Sequence, residues 1–500
     1  MSMNSSVGRP RRRRLAMGLM GCILAGGCAV GPNFSRPSPP QLDRYAPEPG
    51  PSRTGPAGAA PTIGFGRSPD AQWWRLFGSP ALNALVDAGL TSSPTLEAAR
   101  QALQQSQYQA RAGAGVFFPS VSGSFGAASE RTSPLRAGAP GAAASTFSLY
   151  TLAGAVNYAV DLFGGERRSV EALNAAAEQQ RYAEGSAYLL LTGNIVDTAI
   201  ARAGYADEAR TLGDIARLDG EQRDILSAEF KAGHVAWSSV LDAEQQLATD
   251  RQSLAVAEQR DSTAVTLLQT LVGREQAATR PAAPDLDGLS VPPDAPVSLP
   301  SALVRQRPDI LEAEAALHQA SANIGVATAA MFPSISITGN YGAASLSLAQ
   351  LASPAGRFWS VGPSVNVPIF EGGALWFGRK AAVAAYHKAE ADYRQTVLAA
   401  LEQVADQLNA LDTDAQVSDA TGQGYEAAEV QAELADANRR AGVIADFDAM
   451  TAQIQADRSR IVLNAAKTQR LQDVVALYLA SGGGWSAQSE SAAVQAVSAR

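Results

Sequence analysis

The chain has 500 residues, a formal net charge of −8, 46 % hydrophobic residues and 18 % charged residues. Its two cysteines, Cys22 and Cys28, lie near the amino terminus, so the rest of the chain has neither a disulfide framework nor a cysteine-based metal site. The three histidines lack metal-ligand spacing, and GxSxG, HExxH and dinucleotide-loop motifs are missing. The sequence therefore predicts no metal, no cofactor and no enzymatic activity.

The amino terminus has the pattern of a bacterial lipoprotein leader. Five arginines precede an apolar run from Leu15 to about Ala25, and two glycines and Cys28 follow it. This order is typical of a secretory signal, and the run is too short to span a bilayer. We predict that residues 1–27 are removed and that Cys28 is lipidated. Cys22 is a rival site, and an ordinary thiol in a cleaved peptide is the alternative.

Loss of the leader makes the chain more acidic. It removes five arginines and no acid, which leaves 48 acidic and 35 basic residues, a balance of −13. This charge argues against nucleic acid as a partner. No later stretch has eighteen or more consecutive apolar residues. A membrane role therefore requires lipid or β-strands.

Proline-rich segments divide the mature chain. Ten of the 27 prolines lie between residues 32 and 69, which predicts an extended segment that packs little core. A second such stretch, "RPAAPDLDGLSVPPDAPVSLP", ends at residue 300. The predicted parts are a lipid-anchored extended segment (28–72), a first repeat (73–273), a connector (274–300), a second repeat (301–484) and a disordered tail (485–500).

The two repeats have the same order of elements. "SPTLEAARQALQQSQYQARAGAGVFFPSVS" (93–122) matches residues 307–336 at an offset of 214. "KAGHVAWSSVLDAEQQLATDR" (231–251) matches residues 440–460 at an offset of 209. Each repeat predicts a helix, two strands, a long helix, a glycine break and another helix. The sequence therefore predicts an internal duplication.

Period-two alternation marks the strands, at about 117–130, 147–163, 332–344 and 358–370. Each has one apolar and one polar face, and about ten residues suit a tilted strand that crosses a bilayer. A half-buried sheet in a soluble α+β domain is the alternative. Four strands cannot close a barrel, and unpaired edges in lipid cost several kcal/mol per group. Strands that span a membrane would therefore require oligomerisation.

Long helical hairpins are predicted at 165–273 and 373–482. No proline occurs between Gly165 and Gly233, and small or apolar residues recur at three- and four-residue steps. Small residues let helices approach closely, as in coiled coils. Gly233 and Gly442 are predicted to turn the hairpins at their tips, because glycine tolerates left-handed backbone.

Together these features resemble the TolC-like outer-membrane efflux factors, in the lipoprotein branch that serves resistance-nodulation-division (RND) pumps. The resemblance extends from Cys28 to residue 485. It rests on "AVGPNFSRP" after Cys28, "WWRLFGSPALNALVDAGLTSSPTLEAAR" (73–100), "RPDILEAE", "VGPSVNVPIFEGG" and "VVALYLASGGGW" (474–485). Their combination is specific, although no single piece is.

The resemblance implies a mixed α and β membrane protein that forms a homotrimer. Four strands per protomer would make one twelve-stranded transmembrane β-barrel, followed by a periplasmic α-helical barrel. The residues expected to line the lumen are Ser122, Ser124, Asn157, Ser336, Thr338, Asn340 and Asn366. The hairpin-tip residues expected to meet a periplasmic adaptor protein are Ala232, Gly233, His234, Ala441, Gly442 and Val443.

The resemblance also implies an acidic entrance just past the second tip. Asp446 and Asp448 follow Gly442 there, and in a trimer each would form a three-fold ring. The alternative is that both are solvated residues at a helix start, favoured by the helix dipole. Thr451 stands where the first repeat has Asp242, and the second tip lacks an aromatic equivalent to Phe230.

The function implied is passive export of drugs or other small molecules across the outer membrane of a Gram-negative bacterium. The protein would be anchored by lipid there and would act with an adaptor and an inner-membrane RND pump. The duct of a one-step protein secretion system is an alternative. A non-conducting, lipid-anchored coiled-coil scaffold in the periplasm is another. The sequence does not identify the cargo, since an exit duct takes its selectivity largely from its pump and adaptor.

Overall fold

The computed structural model describes residues 29–40, 42, 45, 62–67, 69–133, 143–275, 280, 282 and 284–485. The described residues form two compact units. The first is drawn from the part up to Arg36, from Gln104–Glu178 and from Glu314–Asp392. The second is drawn from Pro37–Leu103, Gln179–Ala313 and the part from Tyr393 onward. Each unit therefore takes segments from both sequence repeats.

The elements follow one another along the chain as the duplication predicts. The strands are β1 (Thr62–Phe65), β2 (Ser120–Thr132), β3 (Ser145–Val160), β4 (Asp294–Val297), β5 (Ser334–Ser345) and β6 (Arg357–Asn366). The helices are α1 (Pro80–Ser92), α2 (Pro94–Gly113), α3 (Gly165–Lys231), α4 (Trp237–Leu271), α5 (Pro300–Leu303), α6 (Pro308–Ala329), α7 (Ala374–Arg440) and α8 (Asp446–Ala480).

The internal duplication is confirmed by the helix boundaries. α3 and α7 each have 67 residues, and α4 and α8 each have 35. Both ends of α7 and both ends of α8 lie 209 residues after the corresponding ends of α3 and α4. The two hairpins therefore preserve one geometry, although few of their side chains are the same.

The first unit contains a four-stranded antiparallel sheet in the order β2-β3-β5-β6. The central pair, β3 and β5, joins the strands of the two repeats, with Asn157 opposite Thr338. β6 ends at Asn366, short of the predicted end at residue 370. Pro368 lies in the missing part, and proline has no N–H to give to a strand ladder.

The second unit contains the main hydrophobic core. Trp73, Trp74 and Phe77 are buried there, and the Trp73 ring stacks on Tyr478 with centroids 5.3 Å apart. These aromatic residues lie in the "WWRLF" segment, and each contributes a large apolar area to the core. The start of the first repeat is therefore anchored against the end of α8.

Thr468 on α8 packs closely against a glycine on α3. A Cβ atom on Gly204 of α3 would lie 2.6 Å from Thr468 Oγ1. The absence of a side chain at Gly204 thus lets the two helices approach, and Thr468 fills the space. This contact is the kind of small-residue packing that the sequence predicts for the hairpins.

A short parallel sheet is a feature that the sequence interpretation missed. β1 pairs with β4, with Thr62 opposite Asp294, so both proline-rich segments contribute a strand to the second unit. Tyr45 Oη also donates a hydrogen bond to the carbonyl of Ser298. Parts of the segment predicted to be extended (residues 32–69) therefore pair with residues far away in the sequence, which the interpretation did not foresee. Proline content excludes helix from such a stretch, but it does not exclude pairing with a strand far away in the sequence.

Within the described part of the chain, no helix combines the length and the apolar composition needed to cross a membrane.

Arg307 joins three helices of the second unit. Its side chain is 9 % exposed. Nη1 donates to the carbonyl of Ala480 at the end of α8, and Nη2 donates to Gln403 Oε1 on α7, both at 2.9 Å. Nε and Nη2 also donate to the two carboxylate oxygens of Asp309, at 3.0 and 2.7 Å. The arginine fork therefore satisfies an orphan carbonyl at the end of a helix.

We expect Arg307→Met to lower the free energy of unfolding by about 2–3 kcal/mol, because buried acceptors lose a charged donor. Arg305→Met is the matched control, since Arg305 is exposed two residues earlier. We expect it to change stability by less than about 0.5 kcal/mol. Urea midpoints from circular dichroism of detergent-solubilised protein measure both. Equal losses in the two variants would contradict the role given to Arg307.

Candidate functional site

Strand pairing places all seven predicted lumen residues on one face of the sheet. Residues directly opposite each other in an antiparallel ladder point to the same side, and side chains alternate along each strand. Ser122 is opposite Ala155, and Ala155 is opposite Asn340. Thr338 lies two residues before Asn340 on β5, so it points to the same face. The complete set on this polar face is Ser122, Ser124, Asn157, Ser336, Thr338, Asn340 and Asn366.

The other face of the sheet is apolar and open. Val121 is 77 % exposed, Tyr341 is 63 % exposed and Trp359 is 73 % exposed. Val361 and Val365 on β6 are also exposed. No core covers this face within the described residues of the first unit, which contradicts the half-buried sheet of a soluble domain. An apolar face of this size requires a covering of lipid or protein.

The first hairpin tip is built from Ala232, Gly233 and His234, which are all exposed. Gly233 has a φ of 82°. Its N–H donates to the carbonyl of Phe230, and the N–H of His234 donates to the carbonyl of Glu229, both at 2.9 Å. These two bonds form a Schellman motif, which closes the last turn of α3 and requires left-handed backbone at the glycine.

The second tip, formed by Ala441, Gly442 and Val443, has the same backbone geometry. Gly442 has a φ of 72°. Its N–H donates to the carbonyl of Arg439 at 3.0 Å, and the N–H of Val443 donates to the carbonyl of Asn438 at 2.9 Å. The structure therefore places the six predicted tip residues in two equivalent, exposed turns.

The side chains beside the two tips differ in chemistry. The first tip has an aromatic pair, Phe230 and Trp237, with ring centroids 5.0 Å apart. The second tip has a charged cluster in which Arg439 and Arg440 both donate to Asp436. These hydrogen bonds hold the pKa of the Asp436 carboxyl below its ordinary value. The sequence interpretation identified Phe230 but missed Trp237, although both lie within four residues of Gly233.

Asp446 and Asp448 occupy the first turn of α8, and both are exposed. The Ala445 cap offers no side-chain hydrogen bond, so these two carboxylates supply the negative charge that a helix N-terminus favours. Arg439 Nη1 lies 3.4 Å from Asp446 Oδ1. This position is compatible with an entrance ring and equally with a solvated helix start.

The predicted lipidation site, Cys28, lies outside the described residues, but the segment that follows it is firmly docked. We call residues 29–36 the amino-terminal strap. The N–H of Val30 donates to the carbonyl of Phe163 at 2.9 Å, just after β3. Arg168 donates to the carbonyl of Val30 at 3.3 Å and to Asn33 Oδ1 at 2.6 Å. A Cβ atom on Gly31 would lie 2.5 Å from the Cα atom of Gly325, so the two backbones are in contact.

Two further contacts fix the end of the strap against α6. The Phe34 ring stacks on His318 with centroids 4.4 Å apart, and His318 Nε2 lies 3.0 Å from Glu171 Oε1. Burial acts to raise the pKa of Glu171, but hydrogen bonds with His318 and Arg168 outweigh it and lower that pKa. Arg36 also pairs with Glu314. His318 thus packs against the strap and pairs with Glu171.

Among the residues that the structure describes, no three His, Cys, Asp or Glu side chains converge as a metal site. The features with functional potential are therefore the two-faced sheet, the paired tips and the docked strap.

Comparisons with known proteins agree on one family. Residues 85–274 and 299–483 match the family model described as outer membrane efflux protein. The chain is 29 % identical over 494 residues to the probable efflux pump outer membrane protein TtgC of Pseudomonas putida, covering 95 % of this chain and 96 % of that one. It is 28 % identical over 486 residues to the pyoverdine export outer membrane protein OpmQ of Pseudomonas aeruginosa, with 93 % and 95 % covered.

A solved structure agrees at the level of the fold. The Campylobacter jejuni CmeC outer membrane channel superposes with a TM-score of 0.81, at 20 % sequence identity, covering 92 % of this chain and 95 % of that one.

We expect Gly31→Ala to release the amino-terminal strap. The substitution forces alanine into a left-handed backbone conformation, which costs about 1–2 kcal/mol. Its Cβ atom would also collide with the Gly325 backbone. Hydrogen exchange of the peptide that contains Val30 should therefore accelerate by more than about tenfold. Gly66→Ala is the matched control, since Gly66 also has a positive φ but nothing lies near its missing Cβ. An unchanged Val30 exchange rate in Gly31→Ala would show that the strap does not depend on this contact.

Proposed function

This chain belongs to the outer membrane efflux protein family, and from that membership we propose that three copies assemble into one continuous export channel. It is the outer membrane component of an efflux system, in which it acts with other pump components. The trimer, the lipid anchor, the gate and the adaptor contact described below are proposals about how it does so.

The observation that carries the trimer proposal is the two-faced sheet with open edges. β2 and β6 each pair on one side only within the described chain. In hydrocarbon each unpaired N–H or C=O group would cost several kcal/mol, so edges must be joined to other strands. The apolar face, with Val121 and Trp359, suits contact with lipid. Three protomers would supply twelve strands and leave no edge.

The same assembly would turn the polar face of the sheet toward a water-filled lumen. Hydroxyl and amide groups such as those of Ser124, Asn157 and Asn340 can hydrogen-bond to water and to passing solutes without holding them tightly. Transport through such a lumen is passive and breaks no bond, so we propose that the chain has no enzymatic role.

The hairpin tips are proposed to meet a periplasmic adaptor, which joins the channel to an inner-membrane RND pump. The aromatic pair at the first tip is exposed and supplies the type of side chain that dominates protein interfaces. The charged second tip would add orientation. Lipid on Cys28 would hold the chain in the outer membrane, since the amino-terminal strap docks directly after β3.

Drugs or other small molecules are the proposed cargo. OpmQ is named for pyoverdine export, and a TtgC of another Pseudomonas putida strain, 29 % identical to this chain, is named for toluene efflux. Relatives of similar identity are therefore named for different cargoes, which fits a duct that takes its selectivity from its pump. The lipoprotein leader favours this function over a protein secretion duct.

Planar-bilayer recording of the purified protein tests the channel directly. We expect discrete conductance steps from detergent-extracted trimers. A non-conducting scaffold gives no steps in any state, and a stable monomer in detergent would overturn the proposal.

The acidic entrance can be tested separately by Asp446→Asn combined with Asp448→Asn. In a trimer this change removes six negative charges, and we expect cation preference over anions to fall on the order of twofold. Reversal potentials in a salt gradient measure the effect. Glu97→Gln is the control, because Glu97 is exposed on α2 and remote in sequence from either tip.

The alternative role of these two residues predicts a different result. If both aspartates only stabilise the start of α8, each substitution costs about 0.3–1 kcal/mol of stability. Ion selectivity then stays at the wild-type value, and the entrance proposal fails.

The adaptor contact is tested by a photo-crosslinking amino acid at His234 or Val443 in cells of the native host. We expect both positions to give an adduct with one periplasmic protein, whereas the same probe at Glu97 gives none. Failure of both tip positions to cross-link would contradict the contact.

A further inference from the structure

Two acidic side chains are buried together within the first hairpin. Asp219 of α3 is 4 % exposed and Asp250 of α4 is 7 % exposed. Asp250 Oδ2 accepts hydrogen bonds from Gln246 Nε2 at 2.7 Å and from Arg458 Nη2 of α8 at 3.0 Å. Asp219 Oδ2 is buried with no hydrogen-bond donor.

The carboxyl groups of Asp219 and Asp250 lie close enough to hydrogen-bond to each other. Two carboxylates cannot bond to each other, since both are acceptors only. One proton between them resolves the conflict, because a protonated carboxyl donates to its neighbour. Arg458 supplies a single positive charge, which balances one carboxylate and not two.

We propose that Asp219 and Asp250 form a proton-binding pair that ties α3 to α4 and α8, so that the compactness of this hairpin depends on periplasmic pH. When the pair holds its proton, it carries one negative charge, neutralised by Arg458. When the proton leaves, a second buried negative charge faces the first, and the three helices lose that link.

The surroundings of the proton-binding pair strengthen the effect of the proton. A small buried apolar cluster lies on α3 and α8 and includes Ile215, Leu218 and Ile454. Such apolar neighbours disfavour a second charge. The charged groups that act on Asp219 are Asp250 from α4 and Arg458 from α8. Burial, then the hydrogen bond and charge of Asp250, raise the pKa of Asp219 to about 7, against the opposing effect of Arg458.

The partner carboxyl keeps its charge throughout this range. Burial acts to raise the pKa of Asp250, but hydrogen bonds from Asp219, Gln246 and Arg458 outweigh it and lower that pKa. One proton is therefore shared by the Asp219–Asp250 pair, and it is lost at a higher pH than an isolated carboxyl would lose it. Since the pKa of Asp219 in the folded chain exceeds the value in an unfolded one, the stabilisation is complete in acid and is lost as pH rises toward about 7.

A second carboxyl pair gives an internal reference. Asp414 of α7 also has a buried Oδ2 to which no group donates. Its carboxyl lies within hydrogen-bonding reach of the Asp473 carboxyl of α8, and burial together with Asp473 raises the pKa of Asp414 to about 7. The two pairs lie at different sequence positions in their hairpins, so they are not copies from the duplication.

The test is hydrogen exchange of the full chain in detergent between pH 5 and 9, corrected for intrinsic rates. We expect protection around Asp219 to fall about tenfold per pH unit up to about pH 7 and to stay constant above it. Asp219→Asn should abolish this dependence, because the amide donates permanently to Asp250. In the Asp219→Asn variant, exchange protection of peptides around Asp414 should still depend on pH as in the wild type.

Asp224→Asn is the matched control, since Asp224 is an exposed carboxylate five residues further along α3. It should behave as wild type. Asp250→Asn should shift the pH dependence of exchange protection around Asp219 to lower pH, because the repelling negative charge of Asp250 is gone. A pH dependence that persists in Asp219→Asn, or one that is lost in Asp224→Asn, would overturn the proposal.

Infrared spectroscopy tests the proposal without a change at Asp219. In Asp414→Asn protein, we expect the carbonyl band of a protonated carboxyl to disappear between pH 5 and 9. No such titration would overturn the proposal even if Asp219→Asn failed to fold. Hydrogen exchange reports local opening of the hairpin and infrared spectroscopy reports carboxyl protonation, so neither outcome depends on whether the chain conducts ions.

Discussion

Backbone N–H and C=O groups along the outer edges of β2 and β6 have no strand partner within the described chain. Water can satisfy such groups, but hydrocarbon cannot, and the exposed apolar face of the same sheet calls for hydrocarbon or protein around it. The polar edges and the apolar face of this sheet therefore place opposing demands on its surroundings. The proposed assembly of three copies would resolve both demands, because another copy of the chain would supply the missing strand at each edge.

Duplication supplies the geometry, and divergence between the copies supplies the chemistry. The hairpin helices have identical lengths in the two repeats, and both tips use the same glycine turn. Backbone geometry is preserved because helix length and left-handed glycine are properties of the chain that side-chain changes leave intact. The tips nevertheless differ, with Phe230 and Trp237 at one and Arg439 and Arg440 at the other. One fold thus presents two different surfaces.

Buried polar groups occur where helices of the second unit meet. Arg307 closes the end of α8, and Arg458 donates to Asp250, which lies beside Asp219. Leaving such groups unpaired is expensive in a low dielectric, so each arrangement tolerates few alternatives. Apolar alanine and leucine seams alone would allow helices to slide past one another. The polar contacts therefore help to specify which residues face each other along these long helices.

The sequence by itself determined the repeat, the order of elements, the alternating strands and the glycine tips, because each depends on periodicity or on backbone freedom within a few residues. It also placed the seven polar residues on alternating positions of their strands. Only the tertiary structure decided that strand register gathers them on one face and that β1 pairs with β4. It alone also brought Trp237 against Phe230 and Asp219 beside Asp250. Contacts between residues far apart in the chain depend on helix rotation and strand register. A local pattern of residues does not encode either.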